Sequence, residues 1–395
     1  MHNCYRLGSS LANFEPKRAW AEIDLAALRQ NYRVLLRRLR MQSPKADLIA
    51  VVKAEAYGHG APACVAALLD EGCRFFAVSS LNEAVAVREV CDRKRCDAHI
   101  LILGYTDVSF AQELADFRLL QTLISYEYAR SLQAAALQKG VRLHTHIALD
   151  TGMNRLGFAC HSMEELARSA DLIAEVCGFS ELLVDGMFTH FADAGESPFF
   201  TALQSNRYSV LRGLLEERGV KIPFHHACNS AATFCRPEDL LDGVRIGILL
   251  YGAGGALAKG LSLSPVLQLK SVVAHIHRLL PGETLGYGGE FCTEDERVIA
   301  TLPIGYADGF LRAYTGAAVE IHTAKGDFFA PVVGRICMDQ CMLDITGIPA
   351  RIGDEVTLIG SASGMLDACA ERANTIDYES LCLIGARVPR CYVVS

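Results

Sequence analysis

The chain has 395 residues, room for two or three domains at ~150 residues each. Hydrophobic residues make up 51% and charged residues 21%, a composition that excludes disordered, collagen-like and charged coiled-coil proteins. The net charge is -7 with no basic run, which argues against a nucleic-acid partner.

Fifteen cysteines are diluted through a long apolar chain, and an odd number cannot all pair internally. The opening MHNCYRLGSSLANFEPKR has no continuous apolar stretch of the kind a secretory signal carries. No apolar run reaches the ~18 residues needed to span a bilayer. The expectation is a soluble protein of a reducing, cytoplasmic compartment, with no membrane partner.

From residue 47 to residue 252, short β-branched-rich runs alternate with longer amphipathic segments. The runs are DLIAVVK (47–53), RFFAVSS (74–80), HILILG (99–104), LLQTLIS (119–125), LHTHIALD (143–150), LLVDGMFTH (182–190), PFHHACNS (223–230) and VRIGILLYG (244–252). Helical stretches such as APACVAALLDEG, SLNEAVAVREVCDRK and YEYARSLQAAALQKG stand between them. Eight such units in ~200 residues are the count of a (β/α)8 barrel. Past residue 265 the runs become strand-like and are broken by turns: VLQLKSVVAHIHRLLPGE, ERVIATLPIG, AAVEIHTAKGDFFAPVVG and GDEVTLIG. The expected organisation is an α/β barrel over 25–262 and a mainly β domain over 263–395, joined by an N-terminal strand near 18–24.

In such a barrel the reactive groups gather at the C-terminal ends of the strands. Lys53 closes the first run, and an apolar approach favours the neutral amine that Schiff-base chemistry needs. The segment that follows, AVVKAEAYGHGA, resembles the cofactor-lysine motif of the alanine racemases, two-domain enzymes with an N-terminal barrel and a C-terminal β domain. The resemblance continues in order through WAEIDLAALRQNY, DTGMNRLGF, GMFTHFADA, HACNSAAT, VRIGILLYG, GYGGEF, LPIGYADGF, VGRICMDQ and RVPR.

The resemblance implies pyridoxal 5′-phosphate as cofactor and two-base racemisation of a small amino acid, L-alanine to D-alanine. Lys53 would bind the cofactor and act as one base. Tyr287, supplied by the second subunit of a homodimer, would be the other. Tyr57, Asn229, Ser230 and the backbone of Gly247 and Ile248 would hold the phosphate, and His190 would pack beside the pyridine ring. Arg245 would donate to the ring nitrogen without handing over a proton, which leaves the ring a weak electron sink suited to simple proton exchange. Arg155, Tyr306, Cys337 and Met338 would surround the substrate, Met338 through its backbone amide. Other amino acids (lysine, arginine, glutamate) and a non-catalytic carrier of the cofactor are the competing readings; carriers on the same barrel lack the second domain and its tyrosine.

Three positions depart from the family pattern. Ala148 stands where many members have a carbamylated lysine that steadies the arginine, so Arg155 here needs another support. Glu55 replaces an asparagine. Ala386 replaces a tyrosine that closes the pocket, which points to serine as a second substrate. His144 with His146, and His225 with His226, show no third ligand at metal spacing, so no metal is expected. Neither Cys91 and Cys96 nor Cys369 and Cys382 form a CxxC pair.

Overall fold

The computed structural model describes residues 18–258, 260–360 and 364–393. Residues 1–17, to which the sequence assigns no role, lie outside them. Two compact units account for the chain: Asn31–Ala56 with Ala61–Leu250, and a second holding the described residues up to Gln30, Tyr57–Gly60 and everything from Tyr251 on. That division falls upstream of the 262/263 boundary because Tyr251 packs on Tyr57 and His59 of the second unit.

β1 (Ala19–Asp24) belongs to the second unit, and the first unit is a closed barrel of parallel strands. Its strands are β2 (Asp47–Val51), β3 (Phe75–Val78), β4 (His99–Ile102), β5 (Leu120–Leu123), β6 (Leu143–Asp150), β8 (Leu182–Thr189), β9 (Phe224–His226) and β10 (Gly243–Ile246), with the two-residue β7 (Phe158–Ala159) appended to β6. β10 pairs with β2 on one side, and β5 pairs with β6 on the other, so no edge is left. Buried runs such as Leu48–Val51 and Ile100–Ile102 explain why the strands read as continuous apolar stretches: both faces are covered.

Helices between the strands begin where the sequence supplies a cap. Ser80 and Ser162 each accept an amide three residues on, and Glu83 and Glu165 reach back to complete capping boxes. The eighth apolar run is not one strand, because β10 ends at Ile246 and Ile248–Tyr251 turns as a 3-10 helix, with Leu250 N–H returning to the Gly247 carbonyl.

In the second unit the strands are β11 (Leu267–Val272), β12 (His275–Leu279), β13 (Thr284–Leu285), β14 (Phe291–Cys292), β15 (Arg297–Leu302), β16 (Ala318–Thr323), β17 (Gly326–Val333), β18 (Cys341–Asp344), β19 (Glu355–Ile359) and β20 (Arg390–Val393). Nine strands form one sheet in the order β12-β15-β18-β17-β16-β19-β11-β1-β20, and β13 pairs only with β14. β1 is antiparallel to β11 and parallel to β20, which sews the first and last described strands into one sheet. Leu279, Leu285, Ile299, Val333 and Met342 pack together, with Phe291 against them. Each buried aliphatic or thioether side chain there contributes about 1.5–3 kcal/mol.

Candidate active site

β2 ends at Val51, so Lys53 is not the last strand residue; it opens the segment that follows. Ala54, Glu55, Ala56 and Tyr57 all have φ of 52° to 55°, a left-handed turn made without glycine. Such a turn costs about 1–2 kcal/mol per residue and persists only where its surroundings hold it. Two carboxylates do so. Glu83 Oε1 accepts Ala54 N–H at 2.7 Å while its Oε2 takes Ser79 N–H at 2.7 Å, and Glu55 Oε2 accepts Ala61 N–H at 3.1 Å. The departure at Glu55 thus has a local use: it ties the two ends of the loop together.

Tyr57 is buried against the rings of Tyr251 (centroids 5.1 Å apart) and Tyr378 (6.0 Å). Burial first, then Tyr378 and Cys382, pushes its phenol well above the ordinary tyrosine range, so it stays a donor.

At the C-terminal ends of β8, β9 and β10 the chain builds a closed polar knot around Arg245. Its Nη2 donates to the carbonyls of Thr189 (2.7 Å) and Ala227 (2.9 Å), and its Nη1 donates to His226 Nδ1 (2.6 Å) and the His226 carbonyl (3.2 Å). His190 Nδ1 is 3.3 Å from Nη2, and the guanidinium lies over the Phe188 ring at 5.1 Å. Burial lowers the Arg245 pKa to about 10, which still leaves a cation at neutral pH. Nε–H is the guanidinium donor without a protein acceptor among the described residues. His190 is held neutral, its pKa lowered to about 3 by burial and then by Arg245, Arg155 and Lys53.

Ser230 opens a short helix, Ser230–Cys235, for which the Asn229 side chain is the N-cap, accepting Ala232 N–H at 3.0 Å. Ser230 Oγ accepts Gly247 N–H at 3.0 Å, so its own hydroxyl proton remains to be given elsewhere. Asn229, Ser230, Gly247 and Ile248 therefore meet in one place, at the ends of β9 and β10. Ile248 begins the 3-10 turn whose first amides have no acceptor within it.

Arg155 sits exposed in the loop after β6 and has no acceptor among the described residues; Ala148 is buried in β6. The loop itself is firmly held. Arg207 donates to the Thr151 carbonyl at 2.7 Å, and Gln204 bridges Thr151 Oγ1 and the His190 carbonyl.

The remaining expected residues lie in the second unit. Tyr287 occupies the turn between β13 and β14 and is 71% exposed. Arg335 closes against the next residue, Gly288, and pairs with Glu290. Tyr306 N–H donates to the Cys337 carbonyl and Ala307 N–H to that of Met338, both at 3.0 Å. A Cβ on Gly305 would lie 2.2 Å from the Cys337 oxygen and 2.5 Å from that of Met338, so only glycine permits this approach. The anchor is Asp308, fully buried: its carboxylate accepts Arg18 on both oxygens at 2.8 Å and Gly305 N–H at 2.9 Å, and it forms an ion pair with Arg387 Nε at 2.9 Å. Through Arg387 that anchor also fixes the exposed Ala386. Tyr306, Cys337, Met338 and Ala386 are therefore gathered into one patch of the second unit.

Sequence reasoning missed three of these supports. Glu83 and Asp308 carry no sequence signal as supports, and His226 reads only as half of an adjacent pair; each acquires its role from partners distant along the chain. The described residues contain no group of three His, Cys, Asp or Glu side chains placed to hold a metal ion, and no described helix is long and apolar enough to cross a membrane.

A barrel with a donor-lined polar site at its strand ends, in one chain with a β-sheet unit, is the organisation of an amino-acid racemase. The family model for the alanine racemase N-terminal domain matches residues 23–254, and that for the alanine racemase C-terminal domain matches residues 266–392. Alanine racemase 1 of Clostridium acetobutylicum is 40% identical over 382 residues, covering 95% of both chains. The alanine racemase of Clostridium tetani is 41% identical over 382 residues at the same coverage. Among solved structures, the alanine racemase of Clostridium difficile 630 superposes with a TM-score of 0.86 at 36% identity, covering 96% of each chain. The chain belongs to the alanine racemase family.

Proposed function

We propose that this protein interconverts L- and D-alanine with pyridoxal 5′-phosphate, as a cytoplasmic homodimer whose active site takes Tyr287 from the second subunit. The carrying observation is Arg245: buried, cationic, tied to carbonyl and imidazole acceptors, with Nε–H left to meet an acceptor. The donor set fits the cofactor. Arg245 Nε–H suits an unprotonated ring nitrogen, while Ser230 Oγ–H, the amide of Ile248 and the Tyr57 phenol suit a phosphate.

Bound pyridoxal phosphate supplies an electron sink that acidifies the Cα proton of an attached amino acid. Lys53 Nζ holds the cofactor and moves a proton at Cα on one face. The partner subunit's Tyr287 moves one at Oη on the other, since inversion needs a proton taken from one side and returned from the opposite side. Arg245 cannot give up a proton to the ring, and neutral His190 beside it offers none at working pH. The high exposure of Tyr287 in a single chain supports the shared site, because a base needs water excluded around it. Arg155 and the Met338 amide take the substrate carboxylate.

Ala386 leaves room that a tyrosine would fill, and on this reading serine is a second substrate. The test is deuterium incorporation at Cα in D2O, followed by NMR with chiral analysis of the product, for a panel of L-amino acids. Exchange with inversion of alanine, lost in Lys53→Ala, is the expected result; exchange of no amino acid by the cofactor-loaded protein overturns the proposal.

A further inference from the structure

Two histidines continue the Arg245 knot into the barrel interior. Arg245 Nη1 donates to His226 Nδ1 at 2.6 Å, and His226 Nε2 stands 3.0 Å from His146 Nδ1. A guanidinium has donors and no acceptor, so His226 Nδ1 must be bare and its proton must sit on Nε2. That N–H in turn requires a bare Nδ1 on His146, whose proton is then on Nε2. The line has one polarity, Arg245 to His226 to His146. A further proton on either ring would set two N–H groups against each other. Burial keeps both rings neutral, lowering the pKa of His146 to about 3 and that of His226 well below the ordinary value.

The barrel makes room for His146 at some expense. β6 and β8 slip register at this point: Thr145 faces Val184, but His146 faces Gly186, so Asp185 is an extra residue. A Cβ on Gly186 would lie 2.5–2.6 Å from Cε1, Nδ1 and Nε2 of the His146 ring. Phe75 and Phe224 flank the ring at 6.0 and 6.1 Å between centroids. His146, with Phe75, Phe224, His99, His144 and Asp185, lines a cavity of about 400 Å³. His226 is its hydrogen-bond partner among the described residues.

We propose that His146 is a positioning residue for the reaction: as the acceptor for His226 Nε2–H it holds that ring in the orientation and tautomer that Arg245 requires, and through it the plane in which Arg245 presents Nε–H to the cofactor ring. The inference rests on the racemase reading for its catalytic consequence, but the tautomer line itself does not. Without the acceptor, His226 Nε2–H is buried and unpaired, a penalty relieved by turning the ring or moving the proton to Nδ1. Either change takes the acceptor away from Arg245 Nη1.

Three substitutions separate this role from packing. Asparagine carries an acceptor oxygen at the same point of the side chain as Nδ1, glutamine carries it one atom further out, and leucine has none. In the holoenzymes, His146→Asn is expected to keep kcat within about threefold of wild type, whereas His146→Gln and His146→Leu lose about 10- to 100-fold with KM for alanine little changed, since small misplacements near the chemistry cost on that scale. Absorbance of the bound cofactor and 15N NMR of labelled histidines accompany the kinetics, with melting temperatures as the control for folding. A bare Nδ1 and a protonated Nε2 on His226 in wild type, disturbed by leucine and restored by asparagine, support the proposal. Equal loss in all three variants in step with their melting temperatures overturns it, as does full kcat with an unchanged cofactor spectrum in His146→Leu. If wild type races no amino acid, the racemase reading fails, and the NMR arm still decides the tautomer line.

Discussion

The surroundings of Arg245 and of Tyr287 are built in opposite ways. Arg245 is 4% exposed, and its donors are committed to three carbonyls and a histidine ring whose own partner lies in the core. Tyr287 is 71% exposed, Met338 54% and Tyr306 39%, each carried on turns of the second unit. A group that must only orient and stay charged can be finished inside one fold. On the proposed reading these exposed groups must meet substrate on a water-free face, so their enclosure has to come from elsewhere: a second subunit.

Paired inactive variants break this comparison most directly. Lys53→Ala should lower racemisation by about 10⁴-fold or more, because it removes both the cofactor linkage and one base. Tyr287→Phe should cost about 10²- to 10⁴-fold while leaving cofactor binding intact. Mixing the two after dissociation should restore a fraction of activity, since a mixed dimer has one site with both residues. No recovery in a mixture shown to contain mixed dimers would assign Lys53 and Tyr287 to the same subunit's site.

Stability sharpens the contrast next. Asp308 is a buried carboxylate held by Arg18 and Arg387, and Asp308→Asn should destabilise the second unit by about 3 kcal/mol, the low end for a broken buried pair because both arginines reach water. Denaturant unfolding followed at Tyr306 or Cys337 reports it, and KM for alanine should rise as the Met338 turn loosens. The barrel has a different weakness. His146 and His190 have folded pKa values of about 3 against about 6.5 when unfolded, so below 6.5 the unfolded chain takes up more protons. Their contribution is full above pH 6.5 and declines as pH falls towards about 3. Unfolding midpoints between pH 7 and pH 4 should fall in wild type, and fall less in His146→Asn.

Much of this was legible from the sequence, and the parts that were not share a physical cause. The barrel strands follow the eight runs because strands covered on both faces are mostly apolar, while the polar residues they do bury, such as His146 and His226, are paired inside. Lys53 stood out by its place at the end of the first run, whereas Ser230 and Arg245 stood out only through the resemblance; the structure puts Lys53 just past β2, Ser230 after β9 and Arg245 within β10. The carboxylates did not stand out. Glu83 satisfies a helix start, a local role that hides its bond to Ala54, the neighbour of Lys53, 29 positions earlier. The His146–His226 contact depends on a one-residue register slip between β6 and β8, and a bulge leaves no local mark on an alternating pattern.

The finest distinction lies at Ala386, exposed on the segment that Arg387 ties to Asp308. Restoring bulk there with Ala386→Tyr changes no buried contact, so the melting temperature should stay within a degree or two, as for most exposed sites. A filled pocket should instead discriminate by size. The extra hydroxyl of serine is about as large as the single-group differences that pockets reject by roughly tenfold or more. The ratio of kcat/KM for serine to that for alanine should therefore fall about tenfold in Ala386→Tyr, mostly through serine. An unchanged ratio would show that selection between the two amino acids is made where the second unit alone does not reach, and that the small residue at 386 has no part in it.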